Sequence, residues 1–188
     1  MGQTTQKSAL LVMDMMGSLL NRHPNGAALV TPVVKAVAAA RASKIAVIHV
    51  KVTFREGAPE ISPANKGFSA FSRDMWTPEF VAEWERFHPE LQPEAGEVII
   101  SKRRFSAFTG SDLEVVLRAN GINHLVLTGW ATSGVVLSTL REAADKDYHV
   151  SVIADACADP DDEVHQLLTE KVFPRQATML TVDEWCAL

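Results

Sequence analysis

The chain has 188 residues, 47% apolar and 22% charged, enough for one substantial core and too short for two ordinary domains. With 18 lysines and arginines against 23 acids the formal charge is −5; without a basic block this argues against a nucleic-acid binder and points to a small-molecule partner or another copy of the chain. No apolar run reaches membrane-span length, Met1 to Lys7 lacks the apolar segment of a secretory signal, and Cys157 and Cys186 have neither CxxC spacing nor a His/Cys cluster beside them. A cytoplasmic chain with no membrane contact, disulfide framework or structural zinc is expected.

Six short apolar runs alternate with segments of helical period: Ala9–Met13, Ile45–Val52, Glu97–Ile100, His124–Thr128, His149–Ala154 and Thr178–Thr181. Continuous β-branched or leucine-rich runs suit strands buried on both faces, so the pattern predicts a parallel sheet covered by helices. Between the first two runs, Ala27–Ala42 puts Val30, Val33, Val34, Val37 and Ala38 on one helical stripe. The stretch from Phe54 to Gly96 is interrupted by five prolines and glycines before a short helical piece around Glu79–Phe87 and by three more after it, yet carries Phe68, Phe71, Trp76, Phe80 and Trp84. So long an aromatic-rich excursion is expected to serve as a lid, a binding loop or a subunit contact.

Later in the chain, Ser111-Asp112-Leu113-Glu114 has the capping-box spacing and opens a helix through Ala119, with Gly121 as its left-handed stop. A helix over Thr132–Lys146 follows. Asp159-Pro160 reads as a cap with proline at the first helical position, leading into Val164–Val172, and a last short helix starts near Asp183.

In an open parallel sheet, ligands bind beyond the carboxyl ends of the strands, where strand order reverses. That rule selects Asp14 after the first run, Lys102 after the third, and Gly129-Trp130-Ala131-Thr132-Ser133-Gly134-Val135 after the fourth. A carboxylate and an ammonium meeting there could move protons or hold a polar substrate, and could equally be a structural ion pair.

Four ordered blocks carry a resemblance. They are Leu11-Val12-Met13-Asp14-Met15; Lys102-Arg103-Arg104-Phe105-Ser106-Ala107-Phe108 with Ser111 and Leu113; Gly129-Trp130-Ala131-Thr132 with Val136, Thr139 and Ala143; and Asp155-Ala156-Cys157-Ala158. Together they resemble the isochorismatase-like hydrolases, also called cysteine hydrolases. The resemblance implies a three-layer α/β/α fold, a Rossmann-like six-stranded parallel sheet of order 3-2-1-4-5-6, and a homodimer or higher homo-oligomer. It matches Asp14 to the family's acid/base carboxylate and Lys102 to its catalytic lysine. It also implies a cis Trp130–Ala131 peptide that turns amides toward the pocket.

The nucleophilic cysteine of that family falls on Val135, with Gly129 before it and Thr139 and Ala143 after it fixing the register. Valine has no lone pair, so a thioester cannot form there. Isochorismatases of the family carry glycine at this place and hydrolyse a vinyl ether by protonation and water addition; valine fills the space that glycine leaves. The family's zinc-binding Asp-x-His motif is absent around His49–Phe54, so neither a metal nor another cofactor is expected. His23, His49, His88, His124, His149 and His165 are scattered and are assigned no part in the site. Trp130, Ala131, Phe108, Ser133, Arg104 and Trp76 are the candidate substrate contacts, with Phe105 a further wall of the pocket. Two functions stay open: a hydrolase using Asp14, Lys102 and water, and a non-catalytic relative that binds a small ligand or builds an assembly.

Overall fold

The computed structural model describes residues 6–23 and 26–188. Six strands, β1 (Ser8–Met13), β2 (Ala46–Val52), β3 (Val98–Lys102), β4 (His124–Trp130), β5 (His149–Ala158) and β6 (Thr178–Leu180), form one parallel sheet of order β3-β2-β1-β4-β5-β6. The chain builds outward from β1 to β3, then restarts beside β1 with β4. The reversal therefore opens a crevice between the carboxyl ends of β1 and β4.

Successive residues of a strand point to opposite faces, and β1 shows what this does with an all-apolar run. Ala9, Leu11 and Met13 enter one core with Leu125, Leu127, Val150 and Val152. That core is covered by α3 (Leu113–Ala119) and α4 (Leu137–Asp145), after α1 (Gly26–Ala42) and α2 (Pro78–Trp84) earlier in the chain. Leu10 and Val12 enter the second core, beneath α1 and the C-terminal residues Val182 and Trp185. Each face is thus closed by helices whose apolar stripe was already visible, giving the three layers.

The excursion forms a third cluster over the carboxyl end of the sheet, where Phe54, Ile61, Phe68, Trp76 and Trp84 pack with Met16 and Val52. It is anchored to the strands by backbone groups: Trp84 Nε1 donates to Val52 O at 2.7 Å and the His88 amide to Met15 O at 3.0 Å. Among the described residues no helix is long and apolar enough to cross a membrane.

Two expected caps form differently. In place of a capping box, the Ser111 hydroxyl accepts from the Leu113 amide at 3.2 Å while Glu114 pairs with Lys146 at 2.6 Å. An exposed ion pair thus competes for the acid that the box requires. The cap of α5 (Asp162–Leu167) is Asp161, whose carboxylate accepts from the amides of Glu163 and Val164. Asp159 instead lies buried and accepts from the Ser133 amide at 2.6 Å. The helix near Asp183 is α6 (Val182–Cys186), with a complete capping box between Thr181 and Glu184.

Candidate active site

At the end of β1 the chain turns through Asp14, which adopts φ +57°, a left-handed conformation uncommon for an aspartate. Its amide donates to Val50 O at 2.8 Å, so the turn is held from β2. On the other side stands Gly129, at φ +129°; a Cβ there would lie 2.0 Å from Met13 O. Only glycine lets β4 pass this close to the turn that presents Asp14.

Lys102 ends β3, two strands away, and its long side chain crosses beneath the excursion to reach Asp14. Its Nζ donates to Asp14 Oδ2 at 2.8 Å and to Arg104 O at 3.0 Å. Both side chains are almost wholly buried, 6% exposed for Asp14 and 2% for Lys102. Burial pushes the Asp14 pKa up, and the nearby Lys102 charge only partly opposes it. The second oxygen, Oδ1, has no hydrogen-bond partner among the described residues.

Above this pair is a cavity of about 160 Å³, lined by Asp14, Lys102, Val135, Trp130, Ala131 and Gly134 below, with Phe54, Phe68, Phe71, Trp76, Trp84 and Phe105 around and above. The Trp130–Ala131 peptide is cis. It leads into a π-helical turn, Thr132–Val136, that brings Val135 to the cavity wall, 2% exposed. The arrangement is an acid and an ammonium at the floor of an otherwise apolar, aromatic chamber. Such a chamber strengthens charge interactions and disfavours the ionised acid.

Family-model comparison matches residues 8–184 to the Isochorismatase domain. The chain belongs to the isochorismatase family. An uncharacterized isochorismatase family protein of Bacillus subtilis, YwoC, is 32% identical over 96% of this chain and 93% of its own. The ureidoacrylate amidohydrolase RutB of Yersinia enterocolitica is 33% identical over 81% of this chain and 75% of its own. Among solved structures, an isochorismatase family protein of Burkholderia thailandensis superposes with a TM-score of 0.83 at 29% identity, covering 96% of this chain and 94% of that one. N-carbamoylsarcosine amidase of Thermoplasma acidophilum gives 0.78 at 27%, covering 95% and 98%.

Within this isochorismatase-family fold the candidate residues divide. The structure brings Asp14, Lys102, Val135, Trp130, Ala131 and Trp76 to the cavity. It does not bring Phe108, Ser133 or Arg104 among the lining residues. Phe108 turns into the core, its ring 5.9 Å from that of Tyr148, because the loop after Phe105 is drawn under α4 by the Ala107 amide donating to Thr139 Oγ1 at 2.9 Å. The Ser133 amide is engaged by Asp159. The Arg104 guanidinium donates to Arg103 O and to Glu60 O, so only its carbonyl serves the site, through Lys102. Both cysteines lie elsewhere. Cys157 is buried behind β4, with burial pushing its thiol up to about 12, and Cys186 is exposed near Lys35.

Leu19, Val52 and Gly67 also line the chamber without having stood out in the sequence. The signal available was weak: Val52 is the last residue of an apolar strand, Leu19 lies in the turn after β1, and Gly67 looks like an ordinary turn residue. Among the described residues no three histidines, cysteines or acids are grouped to hold a metal ion.

Proposed function

We propose that this chain is a hydrolase for a small molecule that works through Asp14, Lys102 and direct attack of water, without a cysteine thioester. The observation that carries the reading is the buried 2.8 Å Asp14–Lys102 pair facing a chamber whose nucleophile position is Val135. The amidohydrolase names of RutB and N-carbamoylsarcosine amidase support hydrolysis as the reaction class.

In this mechanism Asp14 acts through Oδ1, the oxygen that Lys102 leaves unpaired. Its raised pKa keeps a proton available for delivery to the substrate. Water adds to the electron-poor carbon that results and gives one proton back to the Asp14 carboxylate. The adduct then collapses to a carbonyl, its bond to the leaving group breaking while Asp14 carries the adduct's hydroxyl proton to that group. Lys102 steadies the charge that alternates on Asp14 and, held by Arg104 O, fixes the carboxylate's orientation. The excursion serves as a lid: its rings roof the chamber and narrow the access of bulk water.

A panel of amides, carbamoyl compounds and vinyl ethers, assayed on the native protein, Asp14→Asn and Val135→Cys, tests this. Native turnover lost in Asp14→Asn is the expected result. Turnover that appears only in Val135→Cys would show an amidase site without its nucleophile and would leave the native chain a binding protein.

A further inference from the structure

The lining of the chamber is buried or half-buried almost throughout, and the most exposed of its large side chains is Phe105, at 43%. It follows Lys102 by three residues and faces the excursion, its ring 4.7 Å from that of Phe68. Phe68 is itself held in place by a single helical turn, Lys66–Ser69, which Asn65 caps by accepting from the Phe68 amide at 3.3 Å.

The Phe105 ring stands in a slot between two glycines. A Cβ on Gly67 would lie 2.5 Å from Cζ and 2.8 Å from Cε2, nearer than nonbonded carbons approach. A Cβ on Gly134, on the opposite side, would touch Cδ1 at 3.8 Å. Gly67 does not adopt a left-handed backbone. Its want of a side chain is therefore not a turn requirement; it makes room for the ring. What any larger residue at 67 would push is the far end of a side chain that solvent already reaches on one side, and that side chain can swing.

We propose that Phe105 is the gate of the chamber and the residue that sets which substrates fit, with Gly67 as the seat that lets it close. This rests on the reading that substrate occupies the chamber over Asp14. With the ring seated, about 160 Å³ is open, close to the ~150 Å³ of engineered cavities that accept benzene. The substrate class is therefore compact, with a body no larger than about one six-membered ring. With the ring swung out, the slot between residues 67 and 134 widens the chamber's opening to solvent.

The gate can be tested without turnover. Trp76, Trp84 and Trp130 line the chamber, so acrylamide quenching of tryptophan emission in the folded protein reports access, while Trp185 in the opposite core adds a constant background. Phe105→Ala should raise the quenching constant severalfold, Phe105→Leu less, and Gly67→Ala should raise it by displacing the ring. Phe108→Leu, a ring change outside the chamber, should leave it unchanged. Calorimetric titration with phenol and 2-naphthol adds the size test: the two-ring probe should gain at least about tenfold in affinity on Phe105→Ala, the worth of burying a second ring. Quenching and 2-naphthol binding equal in native, Phe105→Ala and Phe105→Leu, absent binding included, would overturn the gate, as would an equal rise in Phe108→Leu. An Asp14→Asn protein that is inactive with native quenching leaves the gate standing; a native protein that hydrolyses nothing but shows the Phe105 effects removes the hydrolase reading alone.

Discussion

Two partly or wholly buried carboxylates sit at opposite ends of the sheet and are treated in opposite ways. Glu97, just before β3, accepts from Arg41 Nε at 2.8 Å and NH2 at 2.9 Å, from His49 Nε2 at 2.9 Å and from the Glu94 amide at 2.9 Å. Asp14, just after β1, has one cationic partner and an oxygen left over. Burial would raise both pKa values. At Glu97 the donors outweigh it and the pKa falls to about 2; at Asp14 burial prevails and the pKa rises. A carboxylate surrounded by donors is fixed as an anion and can only hold structure together. One left short of donors in an apolar chamber can still exchange its proton.

The sharpest way to break this contrast is to make both side chains amides. Asp14→Asn should lower kcat on the substrate found by about 10²–10⁴-fold, the usual worth of a positioned acid–base, whereas Glu97→Gln should leave kcat near native. Equal losses would erase the functional distinction. The pH profile sharpens it further. If Asp14 must enter the cycle protonated, kcat/KM should fall as pH rises through a pKa above the ordinary 3.8 of an aspartate, and that limb should vanish in Asp14→Asn.

For stability the signs are reversed between the two. Asp14, raised in the folded state, contributes most at low pH, below its unfolded pKa, and the contribution is lost as pH rises through its folded value. Glu97, depressed, contributes fully above its usual 4.5 and loses that contribution as pH falls toward about 2. A shift of that size is worth about 3 kcal/mol, with little discount for solvent because the side chain is 12% exposed. Urea denaturation across this window should show native stability falling toward acid, and Glu97→Gln should be weaker at neutral pH and flatter with pH. Burial pushes the His49 pKa down, so at neutral pH its imidazole is neutral and its Nε2–H donates to Glu97.

How much of this was readable in the chain follows from which contacts are local. The strands were legible because uninterrupted runs such as Leu10-Leu11-Val12-Met13 fill both cores at once. Asp14 and Lys102 stood out because the parallel sheet itself delivers strand ends to one crevice. The roof was not legible, since Phe68, Phe71 and Trp84 reach the chamber through a path broken by prolines and glycines, where no periodicity predicts direction. Phe108 misled for the opposite reason: it is three residues beyond Phe105, but Ala107 bonds to Thr139 and turns the ring into the core. Asp159 looked like a local cap; it accepts from the nearby Asp161 amide only at 3.4 Å, and its close partner, the Ser133 amide at 2.6 Å, is 26 residues away.

The smallest expected effect concerns a third buried ionisable group that lies near the site without belonging to it. Cys157 pairs in register with Gly129, one strand from the crevice, yet its sulfur points to Leu127 O and its thiol is held protonated, with a pKa of about 12. A thiol that stays protonated and buried is a poor nucleophile. Iodoacetamide at neutral pH should therefore label Cys186 alone in the folded protein, as read by mass spectrometry of digested peptides, and turnover should survive the labelling. Cys157→Ala should cost no more than about 1 kcal/mol, the loss of a small packed group, with kcat unchanged. If Cys157 were alkylated at a rate comparable to Cys186 and activity fell with it, the sulfur would have to reach the chamber, and the water-based chemistry assigned to Asp14 would give way to a thiol.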